Sequence, residues 1–243
     1  MSVDEALLLE SSSAGPVLRL YTWRAPAFSL GYRQPAPTWL GRCDELGVEI
    51  VRRVTGGGAV LHARDLTYAV IAPIGTPKIP DDLAGSYVWV RARLLAGLQA
   101  AGFQARAARA QPGAARLDLC FAGATGFEVE LDGRKLIGSA QRRTPHAFLQ
   151  HGSIRIADDS ALYRALTGSA PAPAPPMGLD ADVLREALVQ SFSAALGQPL
   201  EPALLSPPER ARAETRMAQR RLDRLAAPTL SLRRFPEPAD TVA

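Results

Sequence analysis

Arg52-Arg53-Val54-Thr55-Gly56-Gly57-Gly58-Ala59-Val60-Leu61-His62 is the most specific stretch of this 243-residue chain. Three consecutive glycines after a strand let the backbone approach a ligand closely, and such loops present several amide donors to a phosphate or carbonyl oxygen. The spaced glycines and following helix of a dinucleotide fingerprint are missing, and no Gly-Lys-Ser/Thr follows, so neither common nucleotide motif fits. A glycine triplet alone is a turn. Flanked by Arg52-Arg53 before and Val60-Leu61-His62 after, it reads as part of a site.

The elements around the loop alternate. Residues 48–54 are rich in β-branched side chains and predict a strand into the loop, and 66–72 a buried strand out of it. Upstream, Asp4-Glu5-Ala6-Leu7-Leu8-Leu9 starts a helix with acidic residues in its first turn. Residues 17–23 and 28–32 follow as short strands, and 37–46 as a helix closed by Gly47. Downstream, Val90, Leu94, Leu95 and Leu98 stand at helical spacing within 86–101. Phe127, Val129 and Leu131 then alternate with polar neighbours up to the hairpin signal Asp132-Gly133, with a return strand through Leu136-Ile137 and a third strand over 147–156. Alternating Ala and Pro make 170–177 a stiff connection. Helices are predicted over 182–196 and 208–226, before a tail with Pro228, Pro236 and Pro238. The pattern predicts an α+β (mixed α/β) domain over residues 1–205, with central mixed sheets flanked by helices, and a charged helix and tail over 206–243.

Hydrophobic residues make up 47% and charged ones 21%, which suits a soluble globular domain. No apolar run is long enough to span a membrane and the start is acidic, so a cytoplasmic protein is expected. The net charge of +4 comes from scattered arginines, dense only toward the C-terminus. Composition alone does not choose between nucleic acid and the steering of acidic protein partners, and with no basic block interleaved with aromatics no nucleic-acid partner is expected. Cys43 and Cys120 are the only cysteines and are expected to be reduced thiols, Cys43 structural. No His pair has metal-binding spacing, so no metal is expected. Arginine has replaced lysine almost everywhere, yet Lys135, one of only two lysines, stands within Gly133-Arg134-Lys135-Leu136-Ile137-Gly138-Ser139-Ala140-Gln141. A flexible ammonium is not replaceable by a guanidinium, which marks Lys135 as a candidate site residue.

Taken in order over roughly residues 3–156, these segments resemble the lipoate-protein ligase superfamily, the protein-acylating relatives of biotin ligases. The resemblance is carried by residues 4–8, 17–32, the glycine loop, 133–141, and Leu149-Gln150-His151-Gly152-Ser153-Ile154. It implies a biotin/lipoate protein ligase-like fold. His62-Ala63-Arg64-Asp65-Leu66-Thr67-Tyr68, and Leu119-Cys120-Phe121 followed by Phe127-Glu128-Val129, are similar to the cysteine-dependent octanoyltransferase branch, although Ala124 to Gly126 depart from it.

That branch implies that octanoyl passes from acyl carrier protein to Cys120 as a thioester and then to a lysine of a lipoyl domain, on the glycine-cleavage H protein or a 2-oxoacid dehydrogenase subunit. No cofactor, no ATP and a monomeric enzyme are the accompanying expectations. A thiol can exchange a thioester with little change in bond energy, and a nearby cation such as Lys135 stabilises the thiolate or holds the developing oxyanion. Arg53, Thr55, Gly56, Gly57, Gly58, His62, Tyr68, Gly138, Ser139, Ala140, Gln141, His151 and Gly152 are the expected substrate-binding residues. His62 is expected to brace the loop, and His151 to do likewise or to relay a proton. Val60, Leu61, Tyr68, Ile137 and Phe148 are proposed walls of an acyl tunnel. The alternatives are an ATP-dependent lipoate-protein ligase, in which Cys120 is incidental, and a non-catalytic protein that binds carrier or lipoyl domains.

Overall fold

The computed structural model describes residues 1–11, 15–109, 120–122, 128–169, 178 and 180–220. Two sheets with flanking helices form the expected α+β arrangement. The larger has six strands in the order β1-β5-β9-β8-β7-β6. They are β1 (Val17–Tyr21), β5 (Asp65–Pro73), β6 (Arg106–Ala107), β7 (Val129–Leu131), β8 (Arg134–Arg143) and β9 (Ala147–Arg155), and every neighbouring pair is antiparallel. The smaller sheet has the order β3-β2-β4, from β2 (Ala27–Leu30), β3 (Glu49–Arg52) and β4 (Val60–His62). β2 runs parallel to β3 and antiparallel to β4.

The helices complete the layers. They are α1 (Ser2–Glu10), α2 (Leu40–Glu45), α3 (Leu83–Ala100), α4 (Ser160–Thr167), α5 (Ala181–Leu196) and α6 (Pro207–Arg220). Asp82 caps α3 by accepting from the Gly85 amide at 2.8 Å, and Asp180 caps α5 through the Asp182 amide at 2.8 Å. Each satisfies an amide that the first helical turn leaves without an intrahelical acceptor. At the other end of α5, Lys78 Nζ donates to the Leu196 carbonyl at 2.9 Å.

Strand parity divides the large sheet between two apolar clusters. Leu66, Tyr68 and Val70 of β5, with Ile137 of β8 and Phe148 and Ile154 of β9, pack with Val90, Leu94 and Leu98 of α3 and Leu184, Leu188 and Phe192 of α5. Ala69, Ile71 and Leu149 project from the other face and pack with Leu7 and Leu8 of α1 and Val54. The outer face of the small sheet carries Phe28, Leu30 and Leu61, which pack with Cys43 of α2 and Tyr163 and Leu166 of α4. Cys43 is wholly buried, and burial pushes its thiol up to about 11, as suits a structural cysteine. Against the back of α1 lies α6, with Ala213 buried and ion pairs from Arg212 to Glu10 and Arg216 to Glu5.

The strands expected over 17–23 and 28–32 enter different sheets, β1 joining β5 in one and β2 joining β3 and β4 in the other. Val60-Leu61-His62, read as a flank of the glycine loop, is a strand, and α4 was not anticipated. Helix α2 starts at Leu40 rather than Pro37. The connection over 170–177, Leu119, residues 124–127 and everything after Arg220 lie outside the described residues.

Candidate functional site

A solvent-open cleft with about 380 Å³ of free space lies between the two sheets. The large sheet presents Thr67 of β5, Gly138 and Ala140 of β8 and His151 and Ser153 of β9, all from the face opposite α3. The small sheet presents Ser29, Val60 and His62. Arg53, Gly56 and Gly57 of the glycine loop and Cys120 complete the mouth.

The glycine loop is built around a buried arginine. Arg53, 4% exposed, donates through Nη1 to the Ser29 carbonyl (2.7 Å) and through Nη2 to the carbonyls of Gly56 (2.7 Å) and Gly58 (2.8 Å). One planar fork thereby holds a strand and both ends of the loop, which the compact ammonium of lysine does not reproduce. Burial draws the guanidinium below its usual range, and negative charge at Cys120 opposes that shift, so Arg53 and the thiol share one electrostatic environment. Arg52 turns the other way, to the carbonyls of Gly31 and Gln34 at 2.7 Å each. Gly31 must be glycine, since a Cβ there would overlap the Gly57 carbonyl oxygen.

Cys120 opens a 3₁₀ turn, Cys120–Ala122, tied to the loop by its amide, which donates to the Ala59 carbonyl at 3.0 Å. Lys135 Nζ lies 2.7 Å from the Cys120 carbonyl oxygen, 3.0 Å from Glu128 Oε1 and 3.9 Å from Cys120 Sγ. The ring of Phe121 stands between two cations, 5.7 Å from Lys135 Nζ and 5.1 Å from the Arg155 guanidinium carbon. The sulfur rests on Gly138, where an added Cβ would come within 2.8 Å of it. Gly138→Ala is therefore expected to displace the thiol by part of an ångström and to change the rate at which Cys120 reacts with a small alkylating reagent, measured by intact mass over time.

Two hydroxyl–imidazole–carboxylate chains flank the cleft. In the first, Thr55 Oγ1 meets His151 Nε2 at 2.6 Å, and His151 Nδ1 meets Asp4 Oδ2 at 3.2 Å. Asp4 also pairs with Arg19 and accepts from Tyr21 Oη at 3.0 Å. Burial alone would raise the Asp4 pKa, but the N-terminal ammonium, His151 and Arg19 together hold it well below the usual carboxylate range. Burial dominates at His151 and lowers its pKa despite Asp4, so the imidazole is neutral, with Nδ1–H directed at the carboxylate. As the pH falls below about 6.5, unfolded His151 takes up a proton that the folded state resists, so this contribution to stability is full above that pH and declines below it. The denaturation midpoint should fall between pH 7 and 5.5, and His151→Gln should flatten that slope, measured by denaturant titration at each pH.

In the second chain, Ser29 Oγ meets His62 Nε2 at 2.8 Å and His62 Nδ1 meets Asp65 Oδ2 at 2.9 Å. Trp23 stacks on His62 with ring centroids 4.3 Å apart.

The expected site residues divide accordingly. Arg53, Gly56, Gly57, His62, Cys120, Gly138, Ser139, Ala140, His151 and Gly152 line the cleft, and Lys135 stands directly behind the thiol. Thr55 and Gly58 stand one step back, holding His151 and Arg53. Tyr68 and Gln141 lie on the far face of the large sheet, where Tyr68 Oη bonds Ser139 Oγ at 2.7 Å and Gln141 bonds Gln150 at 3.1 Å. Of the proposed tunnel walls only Val60 lines the cleft. Leu61, Tyr68, Ile137 and Phe148 belong to the apolar clusters behind the sheets, because adjacent strand residues point to opposite faces. Asp4, Ser29, Asp65, Thr67 and Ser153 stand within the motif stretches but not among the expected site residues. The only sequence signal for Asp65 is its place three residues after His62.

The sequence model of the "Lipoyl protein ligase A/B catalytic domain" family matches residues 1–195. The chain is similar to Octanoyltransferase LipM of Carboxydothermus hydrogenoformans, with 42% identity over 171 residues, covering 68% of this chain and 64% of that protein. It is also similar to Octanoyltransferase LipM of Kyrpidia tusciae, with 36% identity over 250 residues and 90% of each chain covered. The match thus spans just under two thirds of the first relative and most of the second. Among solved structures, a protein from T. acidophilum described as a lipoate protein ligase, with bound lipoic acid, superposes with a TM-score of 0.77 at 20% identity, covering 90% of this chain and 88% of that one.

Proposed function

The chain belongs to the lipoyl protein ligase A/B catalytic domain family, and from that premise we propose that it is an octanoyl-[acyl-carrier-protein]:protein N-octanoyltransferase acting in protein lipoylation. The observation that carries this reading is Cys120 Sγ on the wall of the cleft, 3.9 Å from Lys135 Nζ. A ligase that activates its acid with ATP needs no thiol there. A transferase does, because the sulfur must attack the carrier's thioester, release the carrier thiol and hold the acyl group until an amine arrives.

The residues divide the work as follows. The Lys135 ammonium offsets negative charge on sulfur, both when Cys120 attacks and when it leaves again. The glycine loop, held by Arg53, shapes the mouth. Val60 and the bare surfaces of Gly138 and Ala140 leave an apolar path for the chain, where each buried methylene contributes about 0.8 kcal/mol. Octanoyl-acyl carrier protein is the donor, and a lysine of a lipoyl domain, on the glycine-cleavage H protein or a 2-oxoacid dehydrogenase subunit, is the acceptor. Both half-reactions use one cleft in turn, in a monomeric cytoplasmic enzyme whose catalytic unit is residues 1–205. Among the described residues no helix is long and apolar enough to cross a membrane.

Incubating the protein with octanoyl-acyl carrier protein, without ATP or acceptor, tests the reading by intact mass. A hydroxylamine-labile octanoyl adduct on Cys120 is the expected result. Absence of the adduct, with lipoyl-domain modification that requires ATP and free acid, would turn the assignment to a ligase.

A further inference from the structure

The second buried chain has a hydrogen-bond polarity that can be assigned atom by atom. Arg53 Nη1 can only donate, and it reaches Ser29 Oγ at 3.3 Å. Asp65 Oδ2 is a carboxylate oxygen that can only accept, so His62 Nδ1 carries the imidazole hydrogen and Nε2 accepts the Ser29 hydroxyl hydrogen. The Trp23 indole N–H can only donate, and gives to Thr67 Oγ1 at 2.9 Å, so the Thr67 hydroxyl donates onward to Asp65 Oδ2 at 2.9 Å. Ser153 adds a third donor to the same oxygen at 2.8 Å. Among the described residues the buried Asp65 Oδ1 has no hydrogen-bond partner, an exception to the usual pairing of buried polar atoms.

The network ends at the cleft. A hydroxyl has one hydrogen and two acceptor sites. With one site taken by Arg53 and the hydrogen by His62, Ser29, a buried residue of the cleft lining that includes Cys120, has one acceptor site left. That site suits a group which brings a hydrogen it must lose. Resting on the thioester reading above, we propose that Ser29, His62 and Asp65 form a proton relay that deprotonates the acceptor amine as it attacks octanoyl-Cys120. The amine nitrogen bonds to the thioester carbonyl carbon, and the carbon–sulfur bond breaks with its electron pair returning to Cys120 beside Lys135. The nitrogen's proton passes to Ser29 Oγ while the Ser29 proton passes to His62 Nε2. The imidazolium is held against Asp65 until it releases that proton to solvent. Ser29 touches the nucleophile, and His62 and Asp65 act through it as positioning and relay residues.

The relay serves an amine and not a thiolate, which carries no proton to remove. The full chain is loaded with octanoyl from its carrier protein, freed of donor, and chased either with a lipoyl-domain protein or with 2-mercaptoethanol at mildly alkaline pH. In Ser29→Ala and in Asp65→Asn the ratio of amine transfer to thiolysis should fall about a hundredfold, the lower bound for a positioned general base. An unchanged ratio, including a parallel fall of both rates, would overturn the relay and leave these residues a packing role. On the unsubstituted protein, D₂O should slow amine transfer more than thiolysis, and equal effects would also overturn it, independently of any variant's folding. Failure of the unsubstituted protein to load at all would overturn the thioester reading, and the relay with it.

Discussion

Cys120→Ser should lower octanoyl transfer to a lipoyl domain by about 10⁴- to 10⁶-fold, the range seen when a covalent nucleophile or one of its essential partners is removed. Serine keeps the position over Gly138 and the amide bond to Ala59, so the site's geometry is conserved. What is lost is the sulfur nucleophile and, for the return step, a thiolate leaving group matched to the thioester chemistry. The measurement is steady-state transfer with carrier-bound octanoyl, paired with a denaturation midpoint. A variant that retained more than about a tenth of the activity would show that sulfur does not carry the acyl group.

Lys135→Gln should combine two losses. The lysine and Glu128 side chains are 8% and 6% exposed, and removing one member of such a pair costs about 3 kcal/mol of stability. The charge beside the sulfur disappears as well, which should slow thioester formation by about a hundredfold or more, in the range of a lost electrostatic stabiliser. Lys135→Arg separates the two effects. It keeps the charge for Glu128, so stability should largely return, while the planar fork cannot occupy the ammonium's place among the Cys120 carbonyl, the thiol and Glu128. Stability regained without activity is the expected outcome, measured by denaturant titration and by the rate of adduct formation.

What could be read from the sequence was local. The Asp132-Gly133 turn, the alternation of Val129 and Leu131 and the apolar run of β5 each declare their structure within a few residues. Cys120 and Lys135 sit in distinctive short contexts, and the fold brings them together. The acyl-tunnel reading, by contrast, depended on which face of each strand meets the cleft. Tyr68 and Thr67 are equally plausible wall residues until the sheet is assembled, and one step of register separates the site from the core. The partners of the buried imidazoles were equally hidden. His151 finds Asp4 147 residues away in the chain, and composition carries no trace of such a pairing.

That same pairing has a consequence for how the protein acquires its activity. The glycine loop is held by Ser29 on one side, by His151 and through it Asp4 on another, and by the Cys120 turn. Contacts of such separation form only after large loops have closed, so they fall late and together during folding. A chain lacking β9 or α1 lacks the supports of its loop, however well formed the rest. Competence and nativeness are therefore reached together.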